Sequence, residues 1–330
     1  MKILVTGGLG FIGSNFIRRL LDDDERFDVI NLDAELFGSN HYNVKDIENS
    51  NRYEFVKGNI SNKNQMEELI SKCDAVVNFA AESFVDRSID DANPFLVSNI
   101  RGAFTLLDIA TKQNKRIIQI STDEVFGSLA STSAKEDSKL NPTNPYAATK
   151  ASAELLANSF SNTYDSDVII TRCTNNYGPR QFPEKLIPKT IILLNQNKKI
   201  PLYGTGKNIR DWIFVEDHCD AVLRILQKGK SGESYNISAD NEIDNITIVR
   251  KIIEKMDKSS DLIEFVEDRP GHDLRYSMNS DKIKTELDWK INTDFEKGID
   301  ETIQWYIEHE DYWKELPTNV FDSTPWKTSK

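Results

Sequence analysis

Residues 2–21 constrain the fold more tightly than any other stretch. The apolar run 2–6 reads as a buried strand, and it feeds the turn Gly7-x-x-Gly10-x-x-Gly13. From Phe11 to Leu21 the apolar positions recur with helical spacing. A strand that turns through glycines into a helix opens a dinucleotide-binding unit. The first two glycines let the backbone turn tightly and approach a pyrophosphate. The third lets the helix pack close to the sheet, and the helix start offers N–H groups and a positive dipole end to phosphates. An ordinary glycine turn has the same letters, so the placement between strand and helix carries the reading. Asp33 stands 20 residues beyond Gly13, at the end of the next apolar run. A carboxylate there accepts hydrogen bonds from the adenosine ribose and repels a 2′-phosphate, which favours NAD over NADP.

Apolar runs and helical patterns then alternate. Strands are expected over 28–32, 53–57, 74–79, 116–121 and 168–172, with helices over 63–71, 93–113 and 144–159. The alternation implies an α/β, Rossmann-like, doubly wound parallel sheet with ligands at the carboxyl ends of its strands. After Thr174 the texture changes at the turn-rich Asn175-Asn176-Tyr177-Gly178-Pro179. The expected organisation is an NAD-binding domain over 1–174, with a return segment near 205–230 carrying a helix over 216–228. Residues 175–330 form a smaller, interleaved substrate-binding region, and the tail 316–330 is expected to be irregular.

Composition excludes several classes. At 38% hydrophobic and 28% charged residues the chain suits a soluble protein with a core, and no apolar run is long enough for a membrane span. A net charge of −12 repels nucleic acid, so an anionic ligand needs a local cluster of Arg and Lys. Cys73, Cys173 and Cys219 are odd in number and far apart, which argues against disulfides and fits a cytoplasmic protein. No Cys/His spacing suggests a metal.

Two segments carry candidate chemistry. Ser121-Thr122-Asp123-Glu124-Val125 offers hydroxyls and two adjacent carboxyl groups. Neighbours in a regular strand point to opposite faces, so both carboxyls reach one ligand only if the chain leaves the strand near Thr122. Gly127 is compatible with such a departure. Tyr146 and Lys150 are at i and i+4, on one face of a helix. A free phenol with a pKa of about 10 is a poor base, and an adjacent ammonium is expected to lower that value. On these residues alone, a solvated acidic pair and a surface Tyr–Lys pair remain open.

Thr6 to Gly13, Asn78-Phe79-Ala80-Ala81 and Tyr146-x-x-x-Lys150 together resemble the extended short-chain dehydrogenase/reductase superfamily. A narrower resemblance is to the dTDP-glucose 4,6-dehydratases. It rests on Thr122 to Gly127, Ala80 to Ser83 with Val85 to Ser88, Asn175 to Pro179, Phe182 to Pro188, Ile209 to Trp212 and Arg269 to Asp273. These segments lie in order between residues 1 and about 313. The resemblance implies oxidation of a hexose at C4 to NAD, loss of water from C5 and C6, and hydride return to C6. Tyr146 is then the base at the C4 hydroxyl, assisted by Lys150 and Thr122; Glu124 takes the C5 proton and Asp123 protonates the departing hydroxyl.

The same resemblance assigns Gly7, Gly10, Phe11, Ile12, Gly13, Asp33, Asn59, Ile60, Ala80, Ala81, Ser98 and Asn176 to the cofactor. To a nucleotide sugar it assigns Ser83, Asn175, Lys185, Leu186, Pro201, Tyr203, Arg210, Asn236, Arg269 and His272. It implies a homodimer through helices 93–113 and 144–159. Four positions depart from the family. Phe84 replaces a usual His, Asn59 a usual Asp, Phe126 a common Tyr, and 34–37 reads Ala-Glu-Leu-Phe. A UDP-glucose 4,6-dehydratase, a UDP-sugar 4-epimerase and a non-catalytic nucleotide-binding protein remain alternatives, and the acidic pair weighs against the last two.

Overall fold

A computed structural model describes residues 1–22, 26–322 and 324–327. Residues 328–330, the end of the tail expected to be irregular, lie outside the described residues. The first six strands are β1 (Lys2–Thr6), β2 (Asp28–Asp33), β3 (Tyr53–Lys57), β4 (Ala75–Asn78), β5 (Arg116–Thr122) and β6 (Val168–Cys173). Four more follow as β7 (Asn175–Tyr177), β8 (Ile200–Tyr203), β9 (Ile209–Phe214) and β10 (Ser234–Ile237). The main sheet has the order β3-β2-β1-β4-β5-β6-β10, and every pair in it is parallel. Its strand order reverses beside β1, which places a crevice at the carboxyl ends of β1 and β4.

Each face of this sheet is covered. Along β1, Ile3 and Val5 face one core and Leu4 the other, the period of two that a pleated strand imposes. On the first face, Phe16, Ile17 and Leu20 of α1 (Phe11–Leu21) meet Val222 and Ile225, residues of the returning helix over 215–228. The second face is closed by α2 (Lys63–Ser71), then by a longer run of helix further on. Between them lies α3 (Val85–Asp90). The longer run was expected as one helix over 93–113. It is α4 (Asn93–Phe95), a wider π-helical stretch Leu96–Gly102, and α5 (Ala103–Lys112). The bulge sits where Gly102 presses on Ile60; a Cβ on Gly102 would lie 2.5 Å from the Ile60 Cδ1. A π-turn has no distinct sequence period, so nothing in the sequence announced it.

Helix α6 (Pro145–Tyr164) starts at Asn144, whose side chain accepts from Ala147 N, and it ends where Asp165 turns left-handed at φ 53°. It runs past residue 159 because Phe160 continues its buried face. Beyond β6 come α7 (Leu186–Asn195), α8 (Val215–Lys228) and α9 (Asn245–Lys255). The remaining elements include β11 (Glu242–Asp244), β12 (Ile263–Val266), α10 (Asp281–Leu287) and α11 (Phe295–Glu308). Small sheets β11-β9-β7 and β12-β8 stand beside the main one. A separate core unites Ile191 and Leu194 of α7, Ile248 and Ile252 of α9, and Ile299 and Tyr306 of α11 with Trp212 and Phe214. The second region is therefore stitched to the first, since α8 packs on the sheet and β10 extends it beside β6. Among the described residues no helix is long and apolar enough to cross a membrane.

Under α6 lies an ion pair that the alternation of apolar runs did not signal. The Arg172 guanidinium on β6 meets the Glu154 carboxylate at 2.8–3.1 Å, and their side chains are 4% and 0% exposed. Removing one partner strands the other charge in a dry interior. Glu154→Ala is expected to cost about 3–5 kcal/mol of unfolding free energy, measured by urea denaturation. Glu154→Gln is expected to cost less, since its amide oxygen still accepts from Arg172.

Candidate active site

The carboxyl ends of β1, β4, β5 and β6 open onto one cavity. Gly7, Gly10, Phe11, Ile12 and Gly13 form its floor, with Asp33, Asn59 and Ile60 at one end. Ala80, Ala81, Ser83 and Ser98 line its side. Thr122, Asp123, Glu124, Tyr146, Lys150, Asn175 and Asn176 close the other end. A second cavity adjoins it, lined by Lys185, Leu186, Pro201, Tyr203, Arg210, Arg269 and His272. Phe84, Glu124, Asn175 and Lys185 line both, so the two spaces share a wall.

The glycine turn has the shape a pyrophosphate needs. Gly7 has φ +73°, and a Cβ there would lie 2.7 Å from Ala80 N. A Cβ on Gly13 would lie 2.4 Å from the Gly7 carbonyl oxygen, which makes helix and turn inseparable from glycine. Gly10 is the N-cap of α1 and contributes no capping side chain, so the first-turn amides face the cavity. Asp33 is buried, and its carboxylate accepts from Leu9 N at 3.0 Å, Glu35 N at 2.8 Å and Ser39 Oγ at 2.8 Å. The hydroxyls of Ser121 and Thr174 line the same cavity, buried and without a partner. These donors, a fixed carboxylate and a glycine cradle fit a dinucleotide.

The acidic pair is presented by a break in the sheet. Strand β5 ends at Thr122, and Asp123–Phe126 forms one 3-10 turn. Thr122 Oγ1 caps that turn by accepting from Glu124 N at 3.3 Å. Gly127 then takes φ +68°, where a Cβ would lie 2.3 Å from the Asn141 carbonyl oxygen. The chain thus leaves the strand where the parity argument required, and both carboxyls reach the cavity. Their surroundings differ. Asp123 is 3% exposed, and its Oδ2 is buried without a partner among the described residues. Burial first, then the Glu124 charge, pushes the Asp123 pKa up to about 8. Glu124 accepts instead from Asn144 Nδ2 and from the Tyr276 hydroxyl, both at 3.3 Å. One carboxyl is a proton donor at neutral pH, beside one held by donors.

The Tyr146–Lys150 pair departs from expectation. Burial, then the Glu124 charge, holds the Tyr146 pKa well above its usual value. The Lys150 ammonium does not lower it, because Nζ is turned to the Ile120 carbonyl at 2.6 Å. Burial brings Lys150 itself down to about 8. Helical spacing placed the two on one face but could not show which acceptor the ammonium takes.

In the second cavity two guanidiniums converge. Arg210 donates to the Asp273 carbonyl at 2.9 Å and lies 4.2 Å from the Tyr276 ring centroid. Arg269 pairs with Asp86 at 2.9 Å, and its buried Nε has no partner. Asp86 also accepts from the Tyr203 hydroxyl at 2.9 Å, and Trp326 stands edge-on to Tyr203 at 4.9 Å. Arginines so placed suit phosphate oxygens. Burial, then Arg269, lowers the His272 pKa to about 4.

One assigned residue lies elsewhere. Asn236 is fully buried in β10, donating to the Ala134 carbonyl at 3.1 Å and accepting from Arg172, so it reaches neither cavity. The pairing of β10 with β6 commits that side chain to the sheet's interior. Asn245, at the start of α9, lines the second cavity instead, with a buried Oδ1 that has no partner. Its signal was weak, since only an Asp-Asn step after a short strand marks it. Tyr276 also lines that cavity and was missed, although it follows Asp273 by three residues.

Two departures from the family pattern prove to be neighbours. Phe84 packs edge-on against Phe37 at 4.9 Å and against Phe182 at 5.5 Å, and the Lys185 ammonium sits 4.7 Å from its ring centroid. Phe37 comes from the unusual segment 34–37, so the two changes form one aromatic cluster.

A family model described as GDP-mannose 4,6 dehydratase matches residues 4–302. The low-salt glycan biosynthesis protein Agl12 of Haloferax volcanii is 46% identical over 308 residues, which is 93% of this chain and 99% of that one. A dTDP-glucose 4,6-dehydratase from Bacillus anthracis, solved in complex with NAD, has a TM-score of 0.91 and 45% identity, covering 96% of this chain and 100% of that one. The dTDP-glucose 4,6-dehydratase DesIV of Streptomyces venezuelae, with NAD and TDP bound, has a TM-score of 0.93 and 41% identity over the same shares.

The Asp123 environment has a measurable consequence for stability. Its folded pKa of about 8 lies above the ordinary 3.8. Between those values the folded chain holds a proton that the unfolded chain has released, so this group makes unfolding free energy fall as pH rises. Asp123→Asn is expected to match the parent near pH 4 and to exceed it in stability near pH 8. Denaturant titrations at the two pH values check this.

Proposed function

The chain belongs to the GDP-mannose 4,6 dehydratase family, and from that premise we propose that it is a dTDP-glucose 4,6-dehydratase with tightly held NAD. The observation that carries this reading is the turn Asp123–Phe126. It presents a protonated carboxyl and a second, hydrogen-bonded carboxyl to one cavity. A 4-epimerase oxidises and reduces C4 and has no use for that pair.

The glycine turn would hold the cofactor, with Asp33 toward the adenosine ribose, Asn59 and Ile60 toward the adenine, and Ala80, Ala81, Ser98 and Asn176 as further lining. NAD would supply hydride acceptance at C4 and hydride return at C6. Tyr146 would have to be a phenolate once NAD is bound; its Oη then takes the C4 hydroxyl proton, with Lys150 beside it and Thr122 Oγ1 on the C4 oxygen. A C4 ketone acidifies the C5 proton. Glu124 removes that proton while Asp123 protonates the leaving C6 hydroxyl, and one water departs. Glu124 then gives its proton back to C5 as hydride returns to C6, Tyr146 releases the C4 hydroxyl proton and Asp123 takes one up, so the product is a 4-keto-6-deoxy sugar with no net redox change.

The sugar nucleotide occupies the second cavity. Arg210 and Arg269 hold the pyrophosphate, Pro201 and Tyr203 flank the base and ribose, and Ser83, Asn175, Lys185, Leu186 and His272 complete the contacts. Residues 1–174, with the return near 205–230, serve the cofactor, and 175–330 mainly serve the substrate. We place the enzyme in the cytoplasm as a homodimer. Leu96, Val97 and Phe104 on one helix and Leu155 on α6 are 45–61% exposed, an apolar surface for a second copy.

Mass spectrometry of the protein incubated with dTDP-glucose or UDP-glucose, without reductant, tests the activity. Loss of one water, faster from dTDP-glucose, is expected; conversion to galactose with no mass change would mean an epimerase. Glu124→Gln is expected to oxidise C4 but to form dehydrated product roughly 10²–10⁴-fold more slowly, with reduced nicotinamide accumulating in absorbance. Light scattering during gel filtration is expected to give twice the chain mass, and a monomer alone would defeat the dimer.

A further inference from the structure

Tyr276 has no part in the reaction sequence above, yet its hydroxyl stands between two carboxylates. Its side chain is 2% exposed. The hydroxyl lies 2.7 Å from Asp273 Oδ2 and 3.3 Å from Glu124 Oε2. A phenol has one proton and cannot donate to both at once. The Asp273 oxygen has a second donor, the Thr143 hydroxyl. Glu124 Oε2 has a second donor in Asn144 Nδ2.

The geometry points to Tyr276 as a positioning residue whose hydroxyl proton turns between Glu124 and Asp273 as Glu124 gains and loses the C5 proton. While Glu124 is ionised, the phenol donates to it, and Asp273 keeps its bond from Thr143. Once Glu124 holds the C5 proton on its other oxygen, the Asn144 amide alone serves Oε2 and the phenol turns its proton to Asp273. Both states of Glu124 are then satisfied without moving a heavy atom, which keeps reorganisation low at the proton-transfer step. Two observations support a rotor over a proton carrier. Burial, then the Glu124 charge, raises the Tyr276 pKa, so the phenol keeps its proton throughout. The Arg210 guanidinium lies over the ring at 4.2 Å from its centroid, which fixes the ring while the hydroxyl turns.

The inference rests on the dehydratase reading of this site. Its test is Tyr276→Phe in the full chain with NAD and dTDP-glucose. Phenylalanine keeps the ring against Arg210 and removes only the hydroxyl. The expected result is an unchanged KM, an unchanged burst of reduced nicotinamide from C4 oxidation, and water loss slowed roughly ten- to hundred-fold. Thr143→Val is a second variant. It takes the other donor from Asp273, biases the phenol proton away from Glu124, and is expected to slow water loss several-fold with the same unchanged burst. Water loss from Tyr276→Phe at the parent rate would overturn the inference alone. So would a parallel fall of the C4 oxidation burst and water loss, which marks a structural role. A parent protein that dehydrates neither nucleotide sugar would overturn the dehydratase reading and the rotor with it.

Discussion

The hydrogen bond from Glu124 N to Thr122 Oγ1 is the contact on which the site depends. Without that cap, β5 could continue its pleat and carry Asp123 and Glu124 to opposite faces of the sheet. The cap ends the strand, starts the 3-10 turn, and brings two consecutive carboxyls to one cavity. Gly127 completes the exit, because its left-handed backbone lets the chain pass the Asn141 carbonyl. A side-chain cap of this kind is worth about 1 kcal/mol, small against the difference it makes to where two acids point.

Placing the carboxyls together is useful only because their environments are unlike. Asp123 lies deeper, and its buried Oδ2 lacks a partner, so its neutral form is favoured. Glu124 has two donors, one of them on Asn144, the residue that also caps α6. The same asparagine therefore ties Glu124 to the helix that carries Tyr146 and Lys150. Interleaving of the two regions does the rest. Strand β9 runs directly into α8, which packs on the main sheet, and Arg210 on β9 stands beside Tyr276, whose hydroxyl reaches Glu124 of the acidic turn.

Strands β1 to β6 were legible to within one residue at their ends, while β10, the seventh parallel strand, was not anticipated. The inner strands are buried on both faces and so read as apolar runs, as in β4 and the first half of β6, whereas β3 at the edge is only half-buried. The strand exit was legible only as a requirement, through side-chain parity and Gly127. What depended on partner choice was not legible. Helical spacing set Tyr146 over Lys150, but the ammonium took a backbone carbonyl from β5. Asn236 lies within a short strand and Asn245 follows one, and only the pairing of β10 with β6 decides that the first is interior while the second lines a cavity. The π-turn at Leu96–Gly102 ends where Gly102 closely approaches Ile60, a contact between segments far apart in sequence.

Phe84 and Phe37 show how a departure from a family pattern is absorbed. A histidine's polar ring would need a partner in this position, whereas Phe84 finds Phe37, Phe182 and Val320 around it. Its face also receives the Lys185 ammonium, whose Nζ donates to the Ser83 carbonyl at 3.0 Å. Phe37 in turn lies under the Arg87 guanidinium, 3.4 Å from its ring centroid, and Arg87 pairs with Glu184 at 2.8 Å. The cluster thus joins the loop after Asp33, at the first cavity, to the 182–185 segment that reaches the second. An apolar clasp held by two cations stands where the family pattern has a hydrogen-bonding ring. Phe84 lines both cavities and Phe37 supports it from the first, so ring packing sets that part of the shared wall.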